Sequence, residues 1–189
     1  MKKVLVMLAD GFEVIEALSV VDVCARANVT CHTCSILEKE VVSSHGIKII
    51  ADKTLQDTDL LNYDALVLPG GMPGSKNLKE SIRVVELVKE YYASGKIVAA
   101  ICAAPIVLSK AEIVDGKMIT SYPGYREELG NCIYEENKIV VTDGNIITSR
   151  GPATAIAFAL EIITRLGYEE EAKSIKEGML FDFLLEKGN

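Results

Sequence analysis

Short, unbroken apolar runs of strand length recur along this chain, separated by segments with helical spacing, and this alternation constrains the fold more than any other feature. Val4–Leu8, Ala65–Leu68 and Ile97–Ile101 contain no polar residue, the pattern of strands buried on both faces of a parallel sheet. Between them, Glu13 to Ala27 places Val14, Leu18, Val21 and Ala25 at intervals of three or four. Ser81–Ser94 does the same with Val84, Leu87, Val88 and Tyr91, and Gly95 stops it. Val29–Ile36 reads as a further strand. His45-Gly46 lies between Val41–Ser44 and Ile47–Ala51, and Asp143-Gly144-Asn145 between Ile139–Thr142 and Ile146–Thr148, which predicts two hairpins. A short helix over roughly Ala104–Ser109, a nearly all-apolar helix over Ala153–Leu166 and a more polar one from Tyr168 to Lys187 complete the pattern. Strands alternating with helices specify an α/β fold with a mostly parallel central sheet covered on both faces. Without a repeat, linker or low-complexity tract, a single domain over residues 1–189 is expected.

Charge and composition exclude several function classes. The 189 residues include 27 acidic and 20 basic side chains, for a net charge of −7. Clustered Lys and Arg of the kind that neutralises phosphates are missing, so no nucleic-acid surface is expected. The apolar stretch from Ile97 is broken by Pro105, too short to span a bilayer. Met1-Lys2-Lys3 opens like a signal peptide, but the apolar run ends at Asp10 without a cleavage site. A cytoplasmic location is therefore expected, with the five cysteines as free thiols.

In an open α/β sheet, ligands bind beyond the carboxyl ends of the strands. Ala9-Asp10-Gly11-Phe12-Glu13, Pro69-Gly70-Gly71-Met72-Pro73-Gly74 and Cys102-Ala103-Ala104-Pro105 each follow a buried strand and should converge on one rim. Cys102 stands where a strand meets a helix start, the setting of a nucleophile elbow. A helix N-terminus lowers a thiol pKa, so a thiolate near neutral pH is expected there. Gly70-Gly71 allows a close backbone approach whose N–H groups face an oxyanion. Glu13 and Glu16 lie one turn apart at the start of the first helix, and Glu16, among Ile15, Ala17 and Leu18, is the better candidate for burial.

The other cysteines have blander readings. Cys24 falls on the helical core pattern and Cys132 in a polar loop. Cys31 and Cys34 lie in a strand, where positions three apart point to opposite faces, so they form neither a redox pair nor a zinc half-site. Asp22 and Arg26, four apart, suit an ordinary helix ion pair. In Thr148-Ser149-Arg150-Gly151-Pro152, Pro152 suits a first helical turn and Arg150 a loop cap. Neither of the two histidines, His32 and His45, falls in an obvious rim loop, which argues against a Cys-His hydrolase.

Four segments in this order resemble the DJ-1/PfpI superfamily, and within it the DJ-1/ThiJ branch: Leu8–Glu16, Leu66–Gly71, Ala100–Pro105 and Thr148–Pro152. The resemblance covers essentially the whole chain. It implies a flavodoxin-like three-layer sandwich, a homodimer, and a cofactor-free and metal-free site. Cys102 would be the elbow cysteine, Glu16 a protonated acid bonded to its sulfur, and Gly71 and Ala103 the donors to an oxyanion, with Gly70 beside them. Residues matching Asp22 and Arg26 would lie near the dimer interface beside the site. The implied activities are conversion of methylglyoxal-like α-oxoaldehydes (glyoxalase), removal of their early adducts (deglycase), or oxidative-stress sensing and chaperoning through Cys102 oxidation. Protease branches carry His after the cysteine, where this chain has Ala103. Tyr122 stands where relatives often carry a proton-shuttling His. A phenol with a reference pKa of about 10 donates protons but is a poor base at neutral pH. The partners expected are a small reactive carbonyl compound or an oxidant.

Overall fold

The computed structural model describes residues 1–187. In chain order it contains β1 (Lys3–Leu8), α1 (Val14–Arg26), β2 (Thr30–Ser35), β3 (Glu40–Val42), β4 (Lys48–Ile50), β5 (Lys53–Thr54), β6 (Ala65–Leu68), α2 (Gly74–Glu80), α3 (Ile82–Ala93), β7 (Ile97–Ile101), α4 (Pro105–Lys110), β8 (Met118–Ile119), β9 (Ile133–Tyr134), β10 (Val140–Asp143), β11 (Ile146–Ser149), α5 (Ala155–Arg165), α6 (Glu169–Gly178) and α7 (Phe181–Lys187). The main sheet has seven strands in the order β10-β11-β7-β6-β1-β2-β5. All its neighbours pair in parallel except β10, which runs antiparallel to β11 across the expected hairpin. The hairpin expected around His45-Gly46 is β3 and β4.

Alternation along the strands divides the core into two layers. Val4, Val6 and Leu8 of β1 pack with Ala17, Val20 and Cys24 of α1 and with Phe158 and Ile162 of α5. Leu5 and Met7 face the other way, onto Leu78 of α2, Val84, Leu87 and Tyr91 of α3, and Val107 and Leu108 of α4. The fold is thus an α/β sandwich with helices on both faces of a mostly parallel sheet.

Three local expectations need correction, and one further helix is not anticipated by the sequence pattern. The buried face of α1 is Glu16, Ala17, Val20, Val23 and Cys24, whereas Leu18 is exposed and Val21 is only half-buried. This helix is apolar on nearly every side, so spacing alone does not set its phase, and packing against α5 does. The helix expected from Ala153 begins at Ala155, after a 3-10 turn over Pro152–Thr154. The helix expected from Tyr168 to Lys187 is two helices, broken where Leu180 adopts a left-handed φ of 57°. The seven-residue α2, packed by Gly74 directly against Phe12, has no clear sequence signal.

Phe158 is fully buried between α5 and α1. Phe158→Ala should lower the unfolding free energy by about 3–5 kcal/mol in a urea titration. A loss below about 1 kcal/mol would show that this layer does not carry the core.

Candidate active site

The rim loops are locked to one another through backbone. Glu13 N–H donates to the Gly70 carbonyl at 2.9 Å, and Cys102 N–H donates to the Ser149 carbonyl at 3.1 Å. A Cβ on Gly70 would stand 2.5 Å from Cys102 Cβ and 2.6 Å from Glu16 Oε2. One on Gly71, whose φ is +88°, would stand 2.4 Å from Glu13 N. Only glycine admits this approach, which brings the β1, β6 and β7 loops to one point.

Cys102 adopts the left-handed φ of 64° that an elbow requires. For a residue with a Cβ this costs on the order of 1–3 kcal/mol. The conformation is held from both sides, since Tyr122 N–H also donates to the Cys102 carbonyl at 2.9 Å. Its side chain is half-buried.

Glu16 is fully buried in the first turn of α1. Its Oε2 accepts from Gly70 N–H at 2.7 Å, and its buried Oε1 has no hydrogen-bond partner among the described residues. The Cys102 thiol faces this carboxyl. Burial pushes the Glu16 pKa up to about 7, against the Gly70 N–H and the thiol, and the Glu13 carboxylate adds to the rise.

The expected low thiol pKa is not what the site imposes. Burial pushes the Cys102 thiol up to about 12, the charge of an ionised Glu16 adds to the rise, and the Ala103 and Gly71 N–H groups oppose it. The helix start contributes little, because α4 spans six residues and begins only at Pro105. An ionised Glu16 therefore holds the proton on the thiol, and Glu16 is the first of the two to lose its proton.

Around this pair the predicted residues divide. Tyr122 is 47% exposed, and its ring lies over Gly151, whose added Cβ would come within 3.2 Å of Tyr122 Cδ2. Arg150 is a structural tie, donating to Thr120 Oγ1 at 3.4 Å and to the Glu136 carbonyl. Pro152 opens the 3-10 turn that follows. Asp22 and Arg26 pair with each other at 2.7 Å on a half-exposed part of α1.

Two neighbours escape a linear reading. Tyr125 is placed so that burial raises its phenol, and a charge on Cys102 raises it further. His45 does reach the rim. Ser44 N–H donates to the Phe12 carbonyl at 2.9 Å, and His45 Nδ1 stands 3.6 Å from Glu13 Oε2. No short-range signal ties a hairpin turn to a carboxylate some thirty residues earlier. Cys31 and Cys34 do face opposite layers, while Cys132 is half-buried rather than freely exposed.

An α/β sandwich with an elbow cysteine set against a buried acid and a Gly-Gly turn defines the class. A family model for the DJ-1/PfpI family matches residues 2–165, and the chain belongs to that family. It is 40% identical over 181 residues to Protein dj-1beta of Drosophila melanogaster, covering 95% of this chain and 97% of that one. It is 37% identical over 183 residues to the Parkinson disease protein 7 homolog of Danio rerio, covering 95% and 97%. The crystal structure of Drosophila melanogaster DJ-1beta superposes with a TM-score of 0.90 at 39% identity, covering 95% and 97% of the two chains. Toxoplasma gondii DJ-1, in a structure described as oxidized, gives 0.90 at 35% identity, covering 95% and 98%. Among the described residues, no helix is long and apolar enough to cross a membrane.

Gly70→Ala should destabilise the fold by roughly 1–3 kcal/mol in urea unfolding, whereas Gly178→Ala, with open space around it, should be neutral or slightly stabilising. Equal effects would show that the Gly70 contact is not tight. The Glu16 shift also has a signature. Between its ordinary 4.5 and about 7, the folded chain keeps a proton that the unfolded chain has lost. Stability from this group is complete below pH 4.5 and lost as pH rises through 7. Relative to Glu16→Gln, wild type should lose about 3 kcal/mol over that range. A pH-independent difference between the two would overturn the raised value.

Proposed function

We propose that the protein is a cofactor-free enzyme that uses Cys102 to act on small α-oxoaldehydes of the methylglyoxal type, or on their adducts. The observation that carries this reading is the Cys102–Glu16 pair, with the Gly71 and Ala103 N–H groups directed at the sulfur. The Cys102 sulfur attacks the aldehyde carbon, an S–C bond forms as the S–H bond breaks, and the carbonyl pair moves to oxygen, which takes up the thiol proton to give a hemithioacetal. Glu16 accepts the proton from that carbon and returns it to the neighbouring carbon, while the hydroxyl proton passes to the ketone oxygen, leaving a thioester of the 2-hydroxy acid. Water cleaves the thioester and restores the thiol, so the net change is addition of water to the oxoaldehyde. The Gly71 and Ala103 N–H groups suit the oxyanion stages. Tyr122 supplies a proton donor at the exposed mouth.

The neutral-range value of Glu16 supports this assignment, because a proton-transfer group works best with a pKa near the operating pH. The oxidative-sensor reading has its own support in the oxidized Toxoplasma gondii relative, and here the same donors would hold a sulfinate at Cys102. A homodimer belongs to the proposal as well: exposed Ile15 and Leu18 line a shallow apolar cleft with Ile156 and Met179, and Asp22 lies at its edge.

Methylglyoxal should be consumed by wild type and not by Cys102→Ala, with Glu16→Gln slower by about 10²–10⁴-fold. Equal consumption by wild type and Cys102→Ala would overturn the enzymatic reading. Uptake of two oxygens at Cys102 under mild peroxide, without turnover, would establish the sensor reading instead.

A further inference from the structure

Two guanidinium groups share a cleft beside the rim. Elsewhere in the chain, Arg26 pairs with Asp22, Arg83 with Glu86 and Glu90, and Arg165 donates to the Gly144 carbonyl. Arg126 and Arg150 pair with no carboxylate among the described residues, and both line one cleft of about 460 Å³ with Pro123, Gly124 and Tyr134. In a chain of net charge −7, charge balance alone gives no reason for two arginines to stand unpaired in one place.

Both guanidinium groups are held. Arg150, half-buried, donates through Nη1 to Thr120 Oγ1 at 3.4 Å and to the Glu136 carbonyl, while its Nε and Nη2 donate to nothing among the described residues. The Arg126 guanidinium lies 5.6 Å from the centroid of the Tyr134 ring, whose hydroxyl donates to the Ser121 carbonyl at 3.3 Å. Planar forks fixed in this way take the paired oxygens of a carboxylate or phosphate with little further ordering. Glu136 also lines the cleft, so the three side chains together leave it one net positive charge.

The cleft adjoins the reacting cysteine through backbone. Cys102 N–H donates to the Ser149 carbonyl, and the Cys102 carbonyl accepts from Tyr122 N–H. Arg150 directly follows Ser149, and Pro123 and Gly124 directly follow Tyr122. Both walls of the cleft therefore start one residue beyond a backbone partner of Cys102. The Tyr122 ring, set over Gly151, bridges the same two segments.

We propose that this cleft is an anion subsite, which selects carbonyl substrates carrying a carboxylate or phosphate beyond the reacting oxoaldehyde. The inference rests on Cys102 as the carbonyl nucleophile and names the substrate class. No bond is made or broken in the cleft, so Arg126 and Arg150 set specificity.

The first test uses the full chain carrying Cys102→Ala, so that binding is read without turnover. Inorganic phosphate and acetate are titrated separately while the arginine Nε–H signals are followed by NMR. The Arg126 and Arg150 signals should shift saturably with at least one anion, and those of the ion-paired Arg26 and Arg83 should not. Saturation by phosphate alone assigns phosphate-bearing substrates, and saturation by acetate alone assigns carboxylate-bearing ones. Arg126→Gln, at an exposed position outside the tie to Thr120, should weaken binding about tenfold. Arg150→Lys, which keeps the charge and loses the fork, should weaken it as well. With Cys102 restored, kcat/KM for an α-oxoaldehyde bearing the bound anion, relative to methylglyoxal, should fall about tenfold in Arg126→Gln, through KM. Shifts that stay linear, that spread equally to Arg26 and Arg83, or that are unchanged in Arg126→Gln would overturn the proposal. Methylglyoxal turnover without anion binding would sink this inference alone, and anion binding without any Cys102-dependent turnover would sink the proposed function.

Discussion

The approach of the Gly70-Gly71 backbone to Cys102 and Glu16 is the contact on which the rest of the site depends. With a Cβ at Gly70 only 2.5–2.6 Å from its neighbours, any side chain there would push β6 and β7 apart at the rim. The Gly70 N–H would then no longer reach the Glu16 carboxyl. That bond is also what lets a carboxyl be fully buried at all, because an unpaired buried charge is far costlier than a paired or protonated one. Parallel pairing of β1, β6 and β7 supplies the frame, and the glycines close it.

Electrostatics then set the chemistry of the pair. Burial favours the neutral form of both groups, the thiol favours the Glu16 carboxylate, and an ionised Glu16 holds the proton on Cys102, so near neutral pH the pair has room for a single negative charge. Near neutral pH that charge rests on the Glu16 carboxylate rather than on the sulfur. A dipole from α4 is not needed. The low-pKa thiol expected from a helix start is replaced by a thiol whose ionisation is coupled to its neighbour.

Local patterns carried much of this. The apolar runs at Val4–Leu8, Ala65–Leu68 and Ile97–Ile101 are strands because no other element of that length hides so continuous an apolar segment. Cys102 was apparent from its position at a strand end followed by small residues and proline. Other features were not readable, each for a physical reason. The phase of α1 depends on which side α5 covers. The break at Leu180 comes from a left-handed residue that is not itself a glycine, two positions after Gly178. Tyr125 and His45 join the site through loops whose course is set by contacts with residues distant in sequence.

The sequence by itself determined the alternation of strands and helices, and with it the sheet, the rim and the residues at its three loop mouths, because periodicity and turn chemistry are local. Only the tertiary structure decided which of those residues face one another and which glycine has no room for a methyl group. Those outcomes depend on distances of a few ångströms between segments far apart in the chain. Burial, which sets the charge of Glu16 and Cys102, exists only once the layers have packed.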